Sequence, residues 1–107
     1  MSTETTREVI EHHLAALEVG DIDEVMKDYS DDSVFIINLG GVLTSLEAIR
    51  GFFVAAGLPK GFTRTDVRVE GDVFYVTWVA DGITFGTDTL IVREGTIVAQ
   101  TVAVVLG

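Results

Sequence analysis

From Thr6 to Leu17 the apolar residues Val9, Ile10, Leu14 and Leu17 recur at helical spacing, while Glu8, Glu11 and Glu18 fall on the opposite side. The spacing predicts an amphipathic first helix, with Gly20 as its C-cap. Asp21, with Glu24 three positions on, opens a second short helix whose apolar face is Ile22, Val25, Met26 and Tyr29. After the polar break SDDS, the run VFIIN reads as a strand and the glycines at 40 and 41 as a turn. Thr44 and Glu47 repeat the capping pattern and start a third helix, which buries Leu46, Ile49, Phe52, Phe53 and Ala56 and ends at Gly57 and Pro59. From Thr63 onward β-branched and aromatic residues lie between the turn signals EGD, ADG and REG. These predict four consecutive strands near 64–70, 72–80, 83–93 and 96–105.

Helices first and an antiparallel meander afterwards define an α+β class, with helices packed on one face of the sheet. Alternation sorts the strand residues into two faces. Phe74, Val76, Trp78 and Ala80 lie opposite Val73, Tyr75, Thr77 and Val79. Gly86, Asp88, Leu90 and Val92 lie opposite Phe85, Thr87, Thr89 and Ile91, and Gln100, Val102 and Val104 lie opposite Ala99, Thr101 and Ala103. A solvated outer face would carry more charge than these do, so a homodimer through the outer face is expected.

Composition narrows the class further. The 107 residues suit one domain, 1–107, with a single core. With no cysteine there is no disulfide scaffold, thiol nucleophile or cysteine-bound zinc, and a reducing compartment is favoured. No secretory signal or membrane span is read in the chain, so a cytoplasmic location is expected. A formal charge of −10 repels a phosphate backbone, which argues against nucleic acid. At 48% hydrophobic residues in periodic segments, the acidic excess reports solubility rather than disorder. No phosphate-binding glycine loop, dinucleotide fingerprint or serine nucleophile motif is present, and no cofactor is indicated.

The only two histidines stand side by side in VIEHHLAAL. On a helical wheel His13 falls between Val9 and Leu17 inside the apolar arc, whereas His12 falls about 100° away, on the flank. Adjacent helical residues do not share a metal ion easily, and no metal site is expected. A histidine in an apolar face is more often a satisfied core residue than a catalyst, and either role needs a hydrogen-bond partner. The best candidate partner is Asp88, a lone carboxylate in ITFGTDTLIV, because a buried aspartate needs a cation or a strong donor. Alternation alone does not decide which way Asp88 faces.

The stretches VIEHHLAALEVGDIDEVMKDYSDDSVF, SLEAIRGFF and GTDTLIVREGTIV, spread over nearly the whole chain, resemble the nuclear transport factor 2-like superfamily. The likeness is strongest to its SnoaL-like and ketosteroid isomerase-like members. It implies three helices in the concave face of a strongly curved, mainly antiparallel sheet, the cone-shaped or cystatin-like fold, with a pocket at the open end and dimerisation through the outer sheet face. It also implies that Asp88 faces the pocket in the place of the protonated aspartate of the isomerase oxyanion hole. His13 then takes the place of the oxyanion-hole tyrosine, beside Asp88. Where the isomerase has its proton-shuttling aspartate this sequence has Ile37, with Asn38 next to it, and a supporting tyrosine is replaced by Phe53. Isoleucine cannot move a proton, so authentic steroid isomerisation is not expected.

Two functions are compatible with this pattern. In the first, an isomerase, cyclase or dehydratase acts on a small apolar, polyketide-like or steroid-like molecule. His13 is the general acid or base and Asp88 fixes its tautomer. Tyr29, Phe74, Trp78 and Gln100 would line the pocket, together with Ile37 and Phe53. In the second, the domain binds a ligand or a partner without turnover, and His13 and Asp88 are a buried structural pair.

Overall fold

In the computed structural model, which describes residues 3–107, the first helical stripe forms α1 (Thr3–Val19) and the second α2 (Ile22–Met26). Gly20 leaves α1 at φ 78°, as the C-cap reading requires. Asp21 caps α2 by accepting from the Glu24 amide at 3.2 Å. Tyr29 lies beyond the last turn of α2 and is buried. The chain continues through β1 (Val34–Ile37), β2 (Gly41–Thr44), α3 (Leu46–Ala56), β3 (Thr63–Glu70), β4 (Val73–Ala80), β5 (Ile83–Arg93) and β6 (Thr96–Leu106).

Two elements differ from expectation: α3 buries Ile49 and Phe53 but leaves Leu46 and Ala56 exposed and Phe52 half-buried, and Gly41, read as part of a turn, begins a strand. Thr44 ends strand β2 instead of capping α3, and Ser45 is the cap, its hydroxyl accepting from the Ala48 amide at 3.1 Å. The segment 41–44 is mostly exposed and so lacks the buried alternation that marks a strand. Its pairing with β1 comes from the hairpin alone.

The six strands form one sheet in the order β2-β1-β6-β5-β4-β3. All neighbours are antiparallel except β1 and β6, which run parallel with Phe35 opposite Gln100. This corrects the expected cone. The sheet is open and mixed, with β2 and β3 as separate free edges, and it is not strongly curved around the helices. The four-residue β2 stands at one edge and pairs only with β1, so among the described residues nothing closes the sheet on itself.

The core lies between the helices and one sheet face, built on Ile10, Leu14, Val25, Phe35, Ile49, Phe74, Val76, Leu90, Val92 and Ile97. The alternation of β4, β5 and β6 sends the expected residues inward. Phe74, Val76, Trp78, Asp88, Leu90, Gln100 and Val102 are buried, and Val73, Tyr75, Val79 and Phe85 are exposed. Arg64 of β3 ties down α1 by donating to Glu11 at 2.7 Å and Glu18 at 3.0 Å, two carboxylates on one helix face. Arg50 of α3 likewise pairs with Asp23 of α2. The segment after α2 is pinned to the sheet: the Ile97 amide donates to the Asp28 carbonyl at 2.8 Å, and the Ser33 hydroxyl donates to the Ile97 carbonyl at 2.6 Å.

Candidate functional site

A cavity of about 600 Å³ opens between α3, the 57–62 loop and the inner face of the sheet. Its walls are Leu17, Phe35, Ile37, Phe52, Phe53, Leu58, Phe62, Trp78, Ile83, Val102 and Val104. Lys60 and Asp81, both exposed, stand at its rim, while the buried His13, Asp88 and Gln100 supply the polar groups of its floor. Of the residues expected at a ligand site, Ile37, Phe53, Trp78 and Gln100 line this cavity. Tyr29 and Phe74 do not. Phe74 is fully buried core, and Tyr29 sits behind the floor.

The alternation of β5 and β6 places Asp88 and Gln100 on the same inner face, and β4 adds Trp78. Trp78 pairs with Gly86, where a Cβ would stand 2.3 Å from the indole Cε2, so only glycine lets the ring lie across β5. The indole Nε1–H then donates to Asp88 Oδ1 at 2.8 Å, and the Gln100 amide donates to Oδ2 at 2.8 Å. Burial raises the Asp88 pKa from 3.8 to about 6, against the two donors and the His13 charge, which favour the carboxylate. Phe62 covers the other side of Trp78, with ring centroids 5.0 Å apart.

His13, 1% exposed, lies in the buried stripe of α1 as the wheel predicts. It does not bond directly to Asp88. Its Nδ1 donates to Asp28 Oδ2 at 3.2 Å, and its Nε2 lies 3.3 Å from the Tyr29 hydroxyl. Tyr29 in turn donates to Gln100 Oε1 at 2.5 Å. The expected side-by-side dyad is therefore a chain running from Asp28 through His13, Tyr29 and Gln100 to Asp88. Asp28, and not Asp88, fixes the His13 tautomer. Burial, and then the charges of Asp88 and Asp28, push the Tyr29 hydroxyl well above the ordinary phenol range, so it stays protonated.

Asp28 also holds the second histidine. His12 Nδ1 donates to Asp28 Oδ2 at 2.9 Å and His12 Nε2 donates to Glu24 Oε2 at 2.8 Å. Both ring nitrogens face carboxylates, so the ring is favoured as imidazolium, and Glu24 first and Asp28 second raise its pKa above 6.5. His12 thus has a task that its flank position on the wheel does not suggest. Asp28 escapes sequence reasoning because it sits in a run of polar residues leading to a strand. Asn38 is occupied elsewhere: its side chain exchanges hydrogen bonds with the Val104 amide and carbonyl, at 3.1 and 3.0 Å, which extends the β1–β6 pairing.

Solved structures share this architecture. A nuclear transport factor 2-like protein of unknown function from Burkholderia xenovorans LB400 superposes with a TM-score of 0.84 at 21% identity, covering 97% of this chain and 85% of that one. Another, from Mesorhizobium loti, gives 0.81 at 20% identity, covering 96% and 93%. TerC, co-crystallized with polyporic acid, gives 0.77 at 14% identity, covering 96% and 92%. At such identities the likeness is one of fold. No curated protein matches the chain in sequence. The family model of the SnoaL-like domain, however, matches residues 10–105, nearly the whole chain. The chain belongs to the SnoaL-like domain family.

Proposed function

We propose that this protein takes a small, largely apolar molecule into the cavity and moves protons on it by general acid–base chemistry at His13 and Asp88, as an isomerase, cyclase or dehydratase. One observation carries this reading: an apolar, aromatic-walled cavity of about 600 Å³ ends on a floor of His13, Asp88 and Gln100. Such a volume suits a ligand of a few fused rings, with the walls supplying affinity and the few polar groups orientation. Asp88, at about 6, titrates near neutrality, where a carboxyl group serves as acid or base. That TerC was crystallized with polyporic acid is consistent with a ligand of this kind in this fold. Ile37 stands on the cavity wall, so the chemistry uses no third carboxylate at that position.

A second reading is a binding module without turnover. It is favoured by the satisfaction of the floor: among the described residues, no buried side-chain nitrogen or oxygen lacks a partner. In either reading we place the protein in the cytoplasm as a homodimer, through the exposed face bearing Tyr75, Val79, Phe85 and Val105.

A thermal-shift screen of aromatic, terpenoid and polyketide-like compounds tests the proposal. Compounds that raise the melting temperature of wild type and lose that effect in Asp88→Asn support it. If no compound stabilises the protein, the cavity is not a binding site. Hits that come back chemically unchanged after long incubation favour the binding module.

A further inference from the structure

The hydrogen bonds at the cavity floor have a direction. Trp78 and Gln100 both donate to Asp88, which leaves Gln100 Oε1 to accept from Tyr29. Tyr29 has one hydroxyl proton, and it points at Gln100, so the phenol oxygen shows His13 only lone pairs. His13 Nε2 must then carry a proton to bond that oxygen, and Nδ1 must carry one to bond Asp28. With Asp88 ionised, every bond is made only if His13 is imidazolium.

The opposite polarity also satisfies every group. Let Asp88 Oδ2 carry a proton and let the Gln100 amide make a half-turn about its last side-chain bond. The carboxyl hydroxyl now donates to the Gln100 oxygen, the amide N–H donates to Tyr29, and Tyr29 donates to a neutral His13 Nε2. His13 Nδ1–H stays on Asp28, and Trp78 still donates to the other Asp88 oxygen. The two arrangements hold equal numbers of protons and the same net charge. One proton has left His13 Nε2 and one has joined Asp88 Oδ2, while Tyr29 keeps its hydroxyl proton and Gln100 both amide protons. Mixed arrangements leave two donors, or two lone pairs, facing each other in a buried chain, with one group desolvated and unpaired.

We infer that Gln100 is a positioning residue whose amide orientation couples the two ends of the chain, so that His13 is a proton donor when Asp88 is an acceptor, and the reverse. Its use in turnover rests on the acid–base reading above; the coupling itself does not. Both ends line the cavity, and a bound molecule that displaces the Tyr29 hydroxyl from His13 Nε2 can take that proton at one atom while giving one to Asp88 from another. The chain is then reversed and set for the opposite transfer, which suits moving a proton within one molecule without net exchange with solvent. The titratable groups facing His13 are Asp28 and Tyr29 after α2, Asp88 of β5, and His12 beside it on α1. Glu24 and Lys27 act only through His12.

Nuclear magnetic resonance of the His13 ring nitrogens and the Asp88 carboxyl carbon tests this. In wild type, wherever the carboxyl shift shows Asp88 ionised, both His13 nitrogens should be protonated; a neutral Nε2 beside an ionised Asp88 overturns the inference. Asp88→Asn supplies a fixed donor toward Gln100, so the Gln100 amide should turn and the Tyr29 hydroxyl should donate to an unprotonated His13 Nε2, read from the nitrogen shift. In a Gln100→Leu or a Tyr29→Phe background, each of which cuts the chain, the same substitution should leave that shift unchanged. An equal change in cut and uncut chains would show a through-space charge effect and overturn the coupling. Coupling in a protein that turns over no ligand would overturn the enzymatic reading alone.

Discussion

At the scale of single residues, two close contacts organise the floor. Gly86 gives Trp78 room to lie flat and reach Asp88. In Gly86→Ala the indole must move, costing about 1–3 kcal/mol in urea unfolding and shifting the emission of this sole tryptophan. Asp28 is the other, because one carboxylate serves both histidines. Asp28→Asn should bring the His12 pKa back toward 6.5, read by imidazole proton shifts, since the second-largest cause of its rise is removed. The His12 proton is held more tightly in the folded protein than in the unfolded one. Its contribution to stability is therefore full below 6.5 and lost as pH rises through the raised folded value. Part of the geometry around the cavity floor was legible in the sequence. The wheel separated a buried His13 from an exposed His12, and a lone carboxylate in an apolar strand marked Asp88. The pairing of His13 with Asp28 was not legible, because it depends on the Ile97 amide gripping the Asp28 carbonyl, a contact between segments far apart in the chain.

At the scale of elements, each helix that the periodicity predicts is present, and strands β3 to β6 fall close to the expected spans because the turn signals EGD, ADG and REG bound them and β4, β5 and β6 each have a buried face. Strand β2 was illegible for the converse reason: an exposed edge strand of four residues has no buried face to leave a pattern. The start of α3 moved by one residue, since Thr44 and Ser45 are both capping types and only the backbone decides between them. Ser45→Ala should cost about 1 kcal/mol in thermal or urea unfolding through the lost bond to the Ala48 amide, and Thr44→Ala much less. Equal losses in the two variants would return the cap to Thr44.

At the scale of the whole molecule, the open mixed sheet leaves two consequences for solution behaviour. Its exposed face carries Tyr75, Val79, Phe85 and Val105, and sedimentation should find a dimer that Phe85→Asp dissociates. A monomeric wild type would remove the dimer from the account. Burial of Asp88 makes stability depend on pH. Its pKa rises from 3.8 unfolded to about 6 folded, so its contribution is full below 3.8 and lost as pH rises through about 6. The stability difference between wild type and Asp88→Asn should therefore shift by about 3 kcal/mol against wild type across that interval. The strongly curved cone was an expectation from family likeness, and strand pairing overruled it: β2 and β3 end the sheet as unpaired edges. What survives at this scale is the cavity and its polar floor, and Trp78 offers a direct probe of both. Titrating the protein with small planar aromatic ligands, while following the fluorescence of this single tryptophan, should give a saturable one-to-one change in wild type that is roughly tenfold weaker in Asp88→Asn. No saturable change with any of them, or equal affinity in the variant, would contradict a ligand seated on that floor.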